Sequence, residues 1–230
     1  MATYVLIHGA GSDAWYWHLV APLLQARGHD VVAPDLPCDD DSAGLAEYVD
    51  VVVDAIGGRT DLVLVAQSLA GFTTPLVCDR LPVDLMILVA AMVPSPGESP
   101  GDWWANTGWE QARRKKAEQD GRSVDGDFDP ITEFLHDLPP DALAEALARP
   151  PRVQSGTPFA KPWPLAAWPK VPTRFLLCRD DRFFPADFMR RVVPQRLGIT
   201  PDEMDGGHLP ALSRPQELAD RLEAYRTSLL

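Results

Sequence analysis

Ser68, Asp181 and His208 are the residues of this 230-residue chain whose types and order suit covalent chemistry. A serine hydroxyl is a poor nucleophile at neutral pH. It reacts when a histidine takes its proton and a carboxylate holds that histidine in the right tautomer. Ser68 stands in Ala66-Gln67-Ser68-Leu69-Ala70-Gly71, between the apolar run Leu62 to Val65 and a helix-compatible stretch. Small residues lie two before and two after it, as a sharp strand-to-helix turn requires where the two elements pack closely. Asp181 follows the apolar run Thr173 to Cys178, and His208 follows Gly206-Gly207. Of the five histidines, only His208 comes after both the serine and a strand-end acid. His18 and His29 fall in or after the first helical stretch, and His136 reads as structural.

Short buried strands with helices between them must position these groups. Tyr4 to Ile7 is apolar throughout and runs into the turn-rich loop His8-Gly9-Ala10-Gly11-Ser12-Asp13. Ala14 to Arg27 has apolar residues at helical spacing and ends at Gly28, where a C-terminal helix glycine belongs. Val31 to Ala33 is a second strand, Leu45 to Ile56 a helix, and Leu85 to Ala90 another buried strand. The helix after Ser68 reaches about Arg80. This rhythm predicts a doubly wound, mostly parallel six-stranded sheet with helices on both faces. Sites in such sheets lie at the carboxyl ends of the strands, where Ser68 and the Gly9–Gly11 loop both fall. The rhythm breaks at Pro94. Residues 94–171 are rich in Pro, Gly and Trp, show helices near Trp109 to Gln119 and Asp141 to Arg149, and show no buried strand. They read as an inserted helical cap on a single domain spanning 1–230, whose core is 1–93 and 172–230. A last short strand falls near Thr200 to Met204 and a final helix over Pro215 to Ser228.

In order along the chain, VLIHGAG, GHDVVAPDLP, LVLVAQSLAG, RDDRFFP and GGHLPALSRP resemble five motifs of the α/β-hydrolase superfamily. The resemblance covers nearly the whole chain and is nearest to the small methylesterase and hydroxynitrile-lyase-like branch. The two strands that open many members are missing, because Tyr4 already begins the first of these motifs. Alanine stands for both glycines of the usual GxSxG, Gln67 where histidine is common, and Cys38 where glycine often follows DLP. The resemblance implies Ser68 as nucleophile, His208 as general base and then acid, and backbone N–H groups of Ala10 and Leu69 as an oxyanion hole. It also selects Asp181 over Asp180, since the family's acid commonly lies four residues before a proline, here Pro185. The implied activity is a cytoplasmic serine esterase cleaving a small, largely apolar carboxylic ester with no cofactor and no metal. Gly9, Trp104 and Leu209 are candidate substrate contacts. As a set, Trp103, Trp104, Trp109, Trp163 and Trp168 read equally as pocket wall or as packing.

Other readings compete. Hydroxynitrile-lyase-type cleavage uses the same three residues, but cyanide release calls for a cation nearby. In plant lyases of this branch a lysine follows the histidine and a threonine replaces the loop glycine. Here Leu209 and Gly9 hold those places, and no lysine follows Lys170, though Arg182 remains a possible charge. A non-catalytic small-ligand receptor on the same scaffold is a further alternative. Gly9-Ala10-Gly11-Ser12-Asp13-Ala14 with Asp35 also satisfies a dinucleotide pattern. His8 before the first glycine suits an oxyanion loop better, and no Tyr-x-x-x-Lys pair is present for NAD(P)-dependent reductase chemistry. A net charge of −12 disfavours nucleic acid and anionic membranes as partners. Three scattered cysteines without CxxC spacing suggest reduced thiols, and a first strand that begins almost at Met1 is expected to leave no room for a leader. Asp39-Asp40-Asp41 reads as a solvated loop. Oligomeric state is not legible.

Overall fold

The computed structural model describes residues 1–123 and 129–228, so five residues of the expected excursion and the last two of the chain lie outside the described residues. Six strands form one open sheet: β1 (Thr3–Ile7), β2 (Asp30–Val32), β3 (Leu62–Gln67), β4 (Leu85–Val89), β5 (Thr173–Cys178) and β6 (Asp202–Met204). Their order is β2-β1-β3-β4-β5-β6 and every neighbouring pair is parallel, so the sheet is wholly rather than mostly parallel. The winding direction reverses between β1 and β3. A crevice opens at the carboxyl ends of such a pair, and the loops after β1 and β3 lie there.

Alternate side chains along each strand feed two cores. Val5, Ile7, Leu64, Ala66, Met86, Leu88, Phe175 and Leu177 face one side, against helices α2 (Leu45–Ile56), α3 (Ala70–Cys78) and α8 (Ala186–Leu197). Tyr4, Leu6, Val63, Val65, Ile87, Val89 and Leu176 face the other. There they meet α1 (Ala21–Gln25), α9 (Pro210–Ser213) and α10 (Pro215–Thr227). Burial on both faces is why these strands read as unbroken apolar runs.

Helical elements that differ from the sequence reading include the first helix, α8 and two helices of the excursion, Pro100–Thr107 and Pro130–Phe134. Ala14 to Arg27 is not one helix but a 3₁₀ turn (Ala14–Trp17) followed by the short α1. Pro22 lacks an N–H and would clash with the carbonyl four residues back, so a helix from Ala14 cannot continue into it. It stands instead in the first turn of α1, where no N–H is needed. Helix α8 was not expected at all. Pro185 and Pro194 punctuate it, yet its buried Phe188, Met189, Val192 and Val193 keep helical spacing. Residues 94–171 contribute α4 (Pro100–Thr107), α5 (Trp109–Gln119), α6 (Pro130–Phe134) and α7 (Pro140–Ala148), with no strand among the described residues. Among the described residues, no helix is long and apolar enough to cross a membrane.

The β3–α3 turn is the tightest junction in the sheet. Ser68 has φ +54°, and its carbonyl accepts from both Gly71 N (3.1 Å) and Met92 N (2.9 Å). A Cβ on Gly71 would lie closer than 3.0 Å to the Met92 carbonyl oxygen and to its carbonyl carbon. Both are backbone atoms and cannot swing aside. Gly71→Ala is therefore expected to destabilise the protein by about 3 kcal/mol, read from the urea midpoint. A loss under about 1 kcal/mol would mean that α3 can move off Met92.

Candidate active site

Ser68, His208 and Asp181 come from three strand ends far apart in sequence, and the structure brings them into one hydrogen-bonded chain. His208 Nε2 lies 3.1 Å from Ser68 Oγ, and His208 Nδ1 lies 2.8 Å from Asp181 Oδ2. The carboxylate's other oxygen accepts the N–H groups of Phe183 and Phe184, each at 2.8 Å. A carboxylate held by two backbone donors must take its third from the ring, so Nδ1 carries the imidazole proton. The Nε2 lone pair is then left facing the serine hydroxyl. Asp181 and His208 are buried, whereas Ser68 is half-buried. Asp180 does different work. Its side chain is exposed, its Oδ2 accepts Gly206 N–H (3.0 Å) and its own N–H donates to Gly206 O (3.0 Å), tying the acid turn to the histidine turn.

Gln67 is a tie that the sequence did not reveal. Its Nε2 donates to the His208 carbonyl at 3.1 Å, so the residue before the serine also holds the histidine's backbone. Its Oε1 fills the space beside Gly9. A Cβ on Gly9 would collide with that oxygen and stand 2.8 Å from Ser68 Cβ. Only glycine lets the β1 loop approach the serine this closely. Neither the Ala10 nor the Leu69 N–H donates a hydrogen bond to another group among the described residues. Both belong to the chain that flanks Ser68.

His8 is the other group that residue type alone left open. It is fully buried. Its Nε2 accepts Leu36 N–H at 3.0 Å, so its proton is on Nδ1, which donates to Gly9 O at 2.9 Å. The Gly9 carbonyl and the Ala10 N–H share one planar trans peptide. Fixing the first therefore fixes the direction of the second. Burial pulls the His8 pKa below its ordinary value, which keeps the ring neutral.

Aromatic rings surround His208. Phe134, Phe183 and Phe184 have ring centroids 5.2, 5.1 and 5.0 Å from the imidazole. Trp104 stands one ring further out, edge-on to Phe183 at 5.8 Å and to Trp109 at 4.7 Å. Trp103 and Trp163 are core residues. Both are buried, with indole N–H groups on Val93 O (3.0 Å) and Phe72 O (3.1 Å). Trp168 donates likewise to Pro94 O at 3.0 Å. Leu209 packs against the core on the α10 face. Arg182, the charge considered for this site, donates to Thr132 O at 2.8 Å. Among the described residues, no group of three or more His, Cys, Asp or Glu side chains is placed to hold a metal ion.

The alpha/beta hydrolase family model matches residues 4–221. Methylesterase 3 of Arabidopsis thaliana is 27% identical over 244 residues, covering 93% of this chain and 92% of that protein. Probable esterase PIR7A of Oryza sativa subsp. indica is 30% identical over 254 residues, covering 95% and 94%. The crystal structure of a pyrethroid hydrolase from Sphingobium faniae JZ-2 superposes with a TM-score of 0.78 at 22% identity, covering 99% of this chain and 98% of that one. That likeness shows the fold.

The burial of neutral His8 has a consequence for stability. In the unfolded chain its imidazole protonates near its ordinary value of about 6.5, while in the folded protein it resists protonation. Its contribution is thus complete above about pH 6.5 and is lost as pH falls from there towards the lowered folded value. His8→Gln keeps an acceptor for Leu36 but cannot titrate. Urea unfolding at pH 7.5 and 5 should show a larger loss for the wild type than for His8→Gln. Equal losses would mean that His8 is not held neutral.

Proposed function

The chain belongs to the alpha/beta hydrolase family, and from that premise we propose that it is a carboxylic ester hydrolase that forms an acyl-enzyme on Ser68. The observation that carries this reading is the 3.1 Å approach of His208 Nε2 to Ser68 Oγ, with Asp181 behind the ring. The imidazole takes the hydroxyl proton as Oγ attacks the ester carbonyl. The oxyanion of the tetrahedral intermediate accepts the N–H groups of Ala10 and Leu69. Removing one such donor typically costs about 3 kcal/mol of barrier. His208 then gives its proton to the departing alcohol, and water repeats the sequence to free the acid. No cofactor enters these steps. The excursion 94–171 acts as a cap over the site.

The substrate we infer is small and largely apolar. Support comes from the rings of Phe134, Phe183 and Phe184 around His208, since the leaving alcohol must pass beside that ring. Arg182 commits one N–H to Thr132 O and keeps its charge, so the inference of an uncharged substrate rests on the rings. Ester hydrolysis is favoured over cyanohydrin cleavage because departing cyanide calls for a cation next to the histidine, and no lysine follows His208 in the chain. Leu209, which follows the histidine, is uncharged and packs partly buried against the core.

A fluorophosphonate probe should label Ser68 alone, and Ser68→Ala should lose both labelling and hydrolysis of p-nitrophenyl acetate while staying folded. Full activity in that variant would overturn the reading. Asp181→Asn should lower kcat by about 10⁴, because the amide no longer enforces the Nδ1–H tautomer. Asp180→Asn should cost far less. The reverse ranking would assign the acid to Asp180. Mandelonitrile cleavage by the same preparation should fall below ester hydrolysis. Lyase turnover that exceeds it and vanishes in Ser68→Ala would replace the esterase assignment.

A further inference from the structure

We propose that Arg152 and Gln154, near the end of the helical excursion, are positioning residues for the loop that carries the Ala10 N–H. The inference rests on the reading of Ser68 given above. Residues 152–155, which belong to no helix or strand, run along the loops that follow β1 and β2 and lead into a 3₁₀ turn at Thr157. Alternation along this segment turns Arg152 and Gln154 inward and leaves Val153 at 70% exposure. Gln154 Oε1 accepts the Gly11 N–H at 2.9 Å. Its Nε2 donates to Tyr48 Oη (3.1 Å) and to Ser155 O (2.9 Å), so the amide has one orientation that satisfies every contact. Arg152 donates to two carbonyls at once, Ser12 O at 3.1 Å and Leu36 O at 2.8 Å. One guanidinium therefore joins the loop after β1 to the loop after β2. The planar fork makes both bonds without rearrangement, which an ammonium cannot copy.

These contacts bracket the critical peptide. His8 fixes the Gly9–Ala10 unit from one side, and Leu36, which holds His8, is itself gripped by Arg152. Gln154 fixes the Gly11 N–H on the other side of Ala10. Gly11 has φ +59°, and its Cβ would stand 3.3 Å from Arg152 O, so the two backbones touch there. Ser155 N–H donates to Cys38 O at 2.6 Å, and Ser155 Oγ to Asp41 at 2.8 Å, which zip the rest of the segment down. An oxyanion donor displaced by about 1 Å can lose a hundredfold in rate, because the interaction exists only in the transition state. A brace on that donor should show in kcat and not in substrate binding.

The test compares Gln154→Ala and Arg152→Met with Gln154→Glu, which keeps an acceptor for Gly11, and with Val153→Ser, which faces solvent. Three measurements are made on each folded variant: kcat and KM with p-nitrophenyl acetate, the affinity for phenylboronic acid, and amide hydrogen exchange over residues 9–12. Gln154→Ala and Arg152→Met should lower kcat about tenfold with KM within about twofold. Boronate affinity should fall in parallel, because its adduct with Ser68 is tetrahedral. Exchange over 9–12 should quicken. Gln154→Glu keeps the Gly11 bond but sets an oxygen against Ser155 O, so its kcat should stand above that of Gln154→Ala without reaching the wild type, and Val153→Ser should match the wild type. Variants that lose only thermal stability or only KM, with kcat and boronate affinity unchanged, would overturn the proposal. A wild type that hydrolyses no ester would defeat the esterase reading instead. Exchange would then still decide the brace, and unchanged exchange over 9–12 in Gln154→Ala would overturn it.

Discussion

The left-handed backbone of Ser68 is the constraint on which the rest of the site depends. A side chain in that conformation costs roughly 1–2 kcal/mol and persists only where its surroundings over-determine it. Here they do. Strand β3 lies between β1 and β4, so the chain enters the turn from a rigid origin. The Ser68 carbonyl is held twice, by Gly71 and Met92. Met92 can reach it because Ala90, at the end of β4, is also left-handed at φ +43° and turns the chain back. Gly71 lets α3 lie directly on Met92. Two strained residues on adjacent strand ends, with one glycine between the elements they join, aim Oγ at the carboxyl edge of the sheet. Alanine at 66 and 70 is tolerated because the close approach falls at Gly71. Both alanines are simply buried.

The carboxylate among the reacting groups is fully engaged by hydrogen-bond donors. The chain carries a net −12, yet the buried centre holds one carboxylate whose oxygens meet two backbone N–H groups and an imidazole. The low polarity that Phe134, Phe183 and Phe184 bring to His208 strengthens those bonds. The same low polarity penalises any buried donor or acceptor left without a partner. That is one reason Gln67, buried beside the ring, is committed to the His208 carbonyl. His8 is neutral for a related reason. A charged ring at that depth would lose solvation and confront the Leu36 N–H with a second donor.

Local signals carried most of the sheet into the sequence reading. Strands buried on both faces appear as apolar runs whatever they pair with, and the serine, acid and histidine follow strand ends in a fixed order. The first helix failed because its apolar period was read through Pro22. Helix α4 carried a signal that was passed over. Ser99 precedes Pro100 and accepts Asp102 N–H at 3.0 Å, which is a helix start written in the sequence. The tryptophans were ambiguous for a deeper reason. Residue type gives amphipathic bulk, but which indole lies in the core and which borders the histidine's rings depends on the backbone carbonyl each N–H finds. Those partners include Phe72 for Trp163 and Phe183 for Trp109. Gln67, Arg152 and Gln154 act on residues distant in sequence, so no local pattern announces them.

The placement of these distant ties bears on how the helical excursion relates to the core. On the histidine side, Asp137 accepts Gly207 N–H at 2.6 Å, Phe134 lies against His208, and Arg182 of the acid turn donates to Thr132. On the opposite side, Arg152 and Gln154 grip the loops after β1 and β2, while Arg149 pairs with Asp13 at 2.7 Å. The excursion is thus fastened beside both the ring that would move the proton and the loop that would stabilise the oxyanion. A rigid swing of the whole excursion would break both sets of contacts together, at the cost of several part-buried hydrogen bonds. Motion that admits substrate is cheaper if it stays between these anchors, at α7, and leaves the two poles in place. In that arrangement the excursion frames the site from both sides, and a substitution at either set of contacts disturbs the pole it holds.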